Sequence, residues 1–117
     1  MAIGTYNIEN HIKGDTFDGV QFTLQNTSNS LPIDLTGCLI KIQFRYRNKI
    51  GKVQKEMNIG TGITVIDAIN GIFKIDPFII DWNTDTYYYD VETTFTNGVV
   101  KTYIEGTVTI IQDTTNG

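Results

Sequence analysis

The stretch from Cys38 to Arg47, CLIKIQFRYR, alternates apart from Leu39, an apolar residue on the polar side. Cys38, Ile40, Ile42, Phe44 and Tyr46 fall on one side of an extended chain, and Lys41, Gln43, Arg45 and Arg47 on the other. A β-strand with one buried face sorts such a pattern into an apolar and a polar surface. On a helix the same residues would scatter around the axis. The period recurs at Val20, Phe22 and Leu24, with Gln21, Thr23 and Gln25 opposite. Helical spacing is sustained nowhere; a single turn around Ile79 to Asn83 is the most the chain allows.

Turn chemistry cuts the rest into short strands. Asn26 to Pro32, NTSNSLP, is a polar loop ending in proline, and Asn48 to Lys52 contains Gly51. Val53 to Met57 reads as a short return strand, and Ile63 to Ile66 and Ile72 to Ile75 flank Asn70-Gly71, a tight-turn dipeptide. Pro77 has no amide hydrogen for a ladder, so DPFIIDWN is expected to cross between sheets. Seven to nine short strands with turns between them describe an antiparallel β-sandwich, for which an immunoglobulin-like Greek key is the expected form. With 117 residues, all of it is expected to be one domain.

Asn97-Gly98 favours a two-residue type I′ hairpin, and that fixes a register. Thr96 then meets Val99, Phe95 meets Val100, Thr93 meets Thr102, Val91 meets Ile104, Tyr89 meets Gly106 and Tyr87 meets Val108. The outer face pairs Thr94 with Lys101, Glu92 with Tyr103, and Asp90 with Glu105. The last pair opposes two carboxylates across a ladder, which is repulsive. A bulge at Gly106 or simple solvation relieves it; a bound cation or a docking basic side chain is the other solution.

DWNTDTYYYDVE, Asp81 to Glu92, imitates half of an EF-hand loop. Thr86 stands where the loop needs glycine, and neither flank is helical. An extended Asp85 to Glu92 also separates its ends by about 23 Å at ~3.3 Å per residue, so the motif fails. Asp81, Asn83 and Asp85 alone keep a small cation-holding capacity, against the usual role of such residues in local turns. The sole cysteine, Cys38, excludes an internal disulfide and a thiolate zinc site, and reads as a small core residue. Only His11 could serve as its base, and nothing supports that pairing. No cofactor is expected.

The net charge of −4 argues against nucleic acid as partner. No apolar run approaches bilayer length, and no signal peptide is expected at the N-terminus. Six of the nine basic residues fall between Lys41 and Lys55, where no acidic residue occurs. Lys41, Arg45, Arg47 and Lys49 thus form a basic hairpin on a body made acidic by Asp90, Glu92 and Glu105. Such a stripe is a solvated face that discourages edge pairing, or a dock for an acidic surface, including an identical neighbour's.

Five segments stand in order: GDTFDGVQFTL (Gly14 to Leu24), IDLTGCLIKIQFR (Ile33 to Arg45), GITVIDAINGIFKI (Gly62 to Ile75), YYYDVETTF (Tyr87 to Phe95) and NGVVKTYIEGTVTIIQDTT (Asn97 to Thr115). Together they resemble the small immunoglobulin-like domains of tailed-bacteriophage virion proteins, such as the N-terminal domain of baseplate upper proteins and related tail or neck modules. The resemblance covers nearly the whole chain. It implies a non-enzymatic structural part of a virion, made in the host cytoplasm, that packs on other virion proteins and on copies of itself. In baseplate upper proteins such a domain precedes a long fibre-binding region, whereas this sequence stops at Gly117. It therefore reads as a stand-alone piece of tail, baseplate, neck or capsid surface. The second reading is a carbohydrate- or receptor-binding module with Trp82, Tyr88 and Tyr103 as an exposed stacking platform.

Overall fold

The computed structural model describes residues 4–26 and 28–112. Eleven strands are formed and, among the described residues, no helix: β1 (Gly4–Thr5), β2 (His11–Ile12), β3 (Thr16–Phe17), β4 (Val20–Thr23), β5 (Leu39–Tyr46), β6 (Val53–Ile59), β7 (Gly62–Asp67), β8 (Ile72–Ile75), β9 (Phe78–Ile79), β10 (Asp85–Thr94) and β11 (Val100–Ile111). The main sheet runs β1-β11-β10-β5-β6-β7-β8-β4, with β2 also on β11, and β3 pairs with β9 in a small second sheet. Thr27, in the loop expected from Asn26 to Pro32, lies outside the described residues; Gln25 and Pro32 bridge that loop's base.

The long sheet curls so that its two halves share a core, which makes the fold sandwich-like. Phe22, Ile63, Phe73 and Ile75 come from β4, β7 and β8. Ile40, Ile42, Phe44, Met57, Tyr87, Val91 and Val108 come from β5, β6, β10 and β11. The alternation in β5 is realised as read: Ile40, Ile42 and Phe44 are buried, and Lys41, Gln43 and Arg45 lie at the surface. Pro77 marks the departure from the main sheet, since β8 ends at Ile75 and the next strand, β9, joins β3.

Several expectations need correcting, the strand count first, which is eleven rather than seven to nine because short backbone-held pairs such as β1 and β2 carry no side-chain pattern. The sheet is mixed rather than antiparallel, because β1 and β2 run parallel to β11, and β6 and β7 meet in a short parallel bridge. The hairpin turn is also not type I′. Gly98 N donates to Phe95 O at 2.9 Å, and Phe95 N to Val99 O at 2.8 Å. Gly98 has φ +86° while Asn97 stays at negative φ. The loop is therefore three residues, Thr96-Asn97-Gly98, with glycine alone in the left-handed position. At the other Asn-Gly, too, only the glycine is left-handed: Gly71, at φ +72°, donates its N–H to Ala68 O at 3.1 Å, in a four-residue loop closed by the Asp67–Ile72 pair.

A three-residue loop shifts the register by one, so Thr93 faces Lys101 and Thr94 faces Val100. A bulge between Val91 and Glu92, with Tyr103 as the extra residue, shifts it back. Beyond it, Val91–Ile104, Asp90–Glu105, Tyr89–Gly106 and Tyr87–Val108 pair as expected. The bulge turns two successive residues inward, and both Tyr103 and Ile104 are 8% exposed. Tyr103, expected outside, instead sets its ring edge-on to Phe95 at 6.3 Å.

Gly106 serves a close approach rather than a bulge. The segment from Gly4 to Ile12 lies along β11, with Tyr6 N donating to Glu105 O at 2.9 Å and Ile8 N to Thr107 O at 2.8 Å. A Cβ on Gly106 would stand 1.9 Å from Tyr6 O and 3.0 Å from the Tyr89 ring. The Tyr89 hydroxyl donates to the same Tyr6 carbonyl at 2.6 Å, and burial pushes its pKa up. At the start of β10 the Tyr87 hydroxyl reaches back to Asn83 O at 2.7 Å.

Candidate interaction cleft on the outer sheet face

On the outer face of β5, β10 and β11 the register sets side chains in rows. Arg45, Tyr88 and Thr107 form one row; Gln43, Asp90 and Glu105 the next; Lys41, Glu92 and Thr102 the third. The N-terminal strand extends the second row, because Thr5 pairs with Glu105. Over the first two rows lies an open cleft of about 230 Å³. Arg45, Lys49, Tyr88, Asp90 and Glu105 all line it. Five of the ten residues singled out in the sequence are thus brought together, from three strands and the β5–β6 loop.

The cleft is charged in both signs and partly locked. Arg45 donates to Gly51 O at 2.9 Å and to Gln43 Oε1 at 2.8 Å. Gln43 in turn donates to Glu56 Oε1 at 2.7 Å, and this bond, with one from Asn58, holds the Glu56 pKa down. Lys49 reaches from the loop across β10 and places Nζ 3.2 Å from Glu105 Oε2. Asn7 caps the cleft's edge by accepting from Thr107 N at 3.1 Å.

Asp90 is the exception. Among the described residues its carboxylate has no hydrogen bond and no ion pair. Loss of water around the carboxylate raises its pKa; Glu92 and Glu105 add to the rise, and Arg45 and Lys41 oppose it. The residue stays accessible to solvent, which limits how far desolvation takes it. The ladder contact between Asp90 and Glu105 is therefore real and unrelieved by any bulge, because the register shift falls at Tyr103 instead.

The remaining candidates lie elsewhere. Lys41 and Glu92 make a loose pair at 3.9 Å beside the cleft. Arg47 pairs with Asp85 at 2.8 Å, lies 4.9 Å from the Tyr46 ring centroid, and lowers the Asp85 pKa. Basic β5 thus lies beside acidic β10, and three of the basic residues expected to form one pole, Lys41, Arg47 and Lys49, are paired with acidic residues of the same chain. Trp82 is half-buried among Tyr87, Phe44 and Phe78, at 5.0, 5.3 and 6.1 Å between ring centroids. With Tyr103 also buried, the platform of Trp82, Tyr88 and Tyr103 does not exist; only Tyr88 faces outward.

The acidic loop is likewise taken up by neighbours, Asp81 standing 3.9 Å from Lys13 Nζ and Asp85 on Arg47. Among the described residues no three His, Cys, Asp or Glu side chains come together as metal ligands. Cys38 is buried, and desolvation raises its thiol pKa, the reverse of nucleophile activation. Sequence reasoning missed Thr5, Asn7, Gln43 and Thr107 as cleft residues, because the cleft's far wall is the N-terminal segment. Gly106 in the interior of a long strand was the available signal for that close approach.

Comparison with protein-family models gives no match, and comparison with curated proteins gives none either.

Proposed function

We propose that this chain is an immunoglobulin-like β-sandwich that serves as a non-enzymatic structural component of a bacteriophage virion, packing on other virion proteins through its outer sheet face. The strand order supports the fold. Named in immunoglobulin style, β4, β8 and β7 are B, E and D, and β1, β11, β10, β5 and β6 are A′, G, F, C and C′. The Tyr87 hydroxyl bond to Asn83 O, at the start of F, has the form of a tyrosine corner. The ordered segments from Gly14 to Thr115 supply the phage assignment.

The observation that carries the packing role is the gathering of Arg45, Lys49, Tyr88, Asp90 and Glu105 in one cleft on a sheet face. Charges of both signs around an aromatic residue suit selection of one partner orientation. Carbohydrate recognition is the second reading, and Tyr88 beside Asp90 and Gln43 is what supports it. Density-gradient fractionation of lysates from the bacterium that carries the gene, with mass spectrometry of each fraction, tests the role. The chain is expected in the fractions holding intact particles at a fixed ratio to the capsid protein. Its absence from those fractions overturns the virion role.

A further inference from the structure

We propose that the outer-face cleft receives one cationic side chain, arginine or lysine, of a protein that packs on this sheet, with Asp90 and Glu105 as its counter-ions. The inference rests on the packing role above and names the chemistry of the contact. Asp90 and Glu105 are ladder partners with both carboxylates on one face, an arrangement that a cation between them stabilises. The chain supplies that cation to only one of them, since Lys49 lies 3.2 Å from Glu105 while Asp90 has no partner among the described residues.

Arg45 lines the same cleft but makes no ion pair with Asp90. Its guanidinium is engaged by Gly51 O and Gln43 Oε1, and Gln43 is fixed on Glu56. An acceptor is thus left open on a rigid strand, in a space of about 230 Å³ that suits one long side chain. Tyr88 lines the same space, and an aromatic neighbour favours guanidinium or ammonium over a neutral group. The Lys49 side chain is 67% exposed, so its hold on Glu105 is a weak surface pair that an incoming cation can share or displace. Sugar hydroxyls would fill the volume without relieving the repulsion between the carboxylates.

The test is an amide-shift NMR titration of the whole protein with Nα-acetyl-arginine methylamide. Its citrulline counterpart, which has the same shape without the charge, is the control. Saturable shifts are expected at Tyr88, Asp90 and Glu105 with the arginine probe, and binding about tenfold weaker with citrulline, the loss of one charge-assisted contact. Asp90→Asn is expected to weaken the arginine probe by about the same factor, its own spectrum showing that it folds. Lys49→Ala, which frees Glu105, tightens it.

Equal binding of the two probes, no saturable shift, unchanged affinity in Asp90→Asn, or loss of binding in Lys49→Ala each overturns the proposal. Shifts at the same amides with methyl β-glucoside and none with the arginine probe give the cleft to carbohydrate instead. A chain that fails these titrations yet travels with intact particles keeps its packing role and loses only the cationic contact.

Discussion

Asp85 and Asp90 sit five positions apart on one strand and respond to acid in opposite ways. The Asp85 pKa is lowered, chiefly by its bond from Arg47. Its contribution to stability is present above the unfolded-state value and lost as pH falls through the folded-state value. The Asp90 pKa is raised, chiefly by desolvation. The folded state therefore binds that proton more tightly than the unfolded chain, and stability falls as pH rises from the ordinary 3.8 through the raised value. Thermal melts across pH check both signs. Asp90→Asn should melt above wild type at neutral pH and converge with it in acid, and Asp85→Asn should melt below it at neutral pH. A lowered neutral melting point for Asp90→Asn would mean that Asp90 already has a partner. Thr93 offers a second residue-scale test. It is fully buried, and its Oγ1 has no hydrogen-bond partner among the described residues. Thr93→Val keeps the shape and removes the stranded hydroxyl, so urea denaturation should show a gain of about 1 kcal/mol. A loss of that size would show that the hydroxyl is satisfied.

At the scale of elements, Gly106 joins the N-terminal strand to the sheet. Gly106→Ala drives a methyl group into Tyr6 O and should cost about 3 kcal/mol. Hydrogen exchange should then quicken first at Tyr6 and Ile8, whose amides bond to β11. Uniform loss of protection would mean that this segment is not a separable unit. That element was also the least legible in the sequence. Strands β4 and β5 announce themselves by alternation, because burial on one face leaves a period of two. Gly4–Thr5 and His11–Ile12 bury little of themselves and are held by backbone bonds to β11, which leave no side-chain pattern. The hairpin fails differently. Asn-Gly serves both the two-residue primed turn and the three-residue loop that ends in a left-handed glycine, and the dipeptide cannot choose between them. The two registers differ by one residue. The Tyr103 bulge absorbs that difference, which is why the Asp90–Glu105 pair was legible while the outward placement of Tyr103 was wrong.

For the whole molecule, the charge pattern was visible in the sequence and its consequence was not. The basic run from Lys41 to Lys55 suggested one pole of a head-to-tail contact. Antiparallel pairing of β5 with β10 instead lays Lys41 beside Glu92, Arg47 pairs with Asp85 and Lys49 crosses to Glu105, so half of that run is paired within the chain. What the fold leaves open on that outer face is the cleft, with the Asp90 carboxylate unpaired among the described residues and Tyr88 lining the same space. The proposed working surface is therefore the outer sheet face. Carbodiimide labelling of carboxylates, read by mass spectrometry on the free chain and on purified particles, tests this most directly. The prediction is that the chain is present in particles and that Asp90 and Glu105 label in the free chain and are protected in the particle, with exposed Asp18, in the connection between β3 and β4, as reference. Equal labelling of Asp90 and Glu105 in both states, or particles that lack the chain, would contradict it.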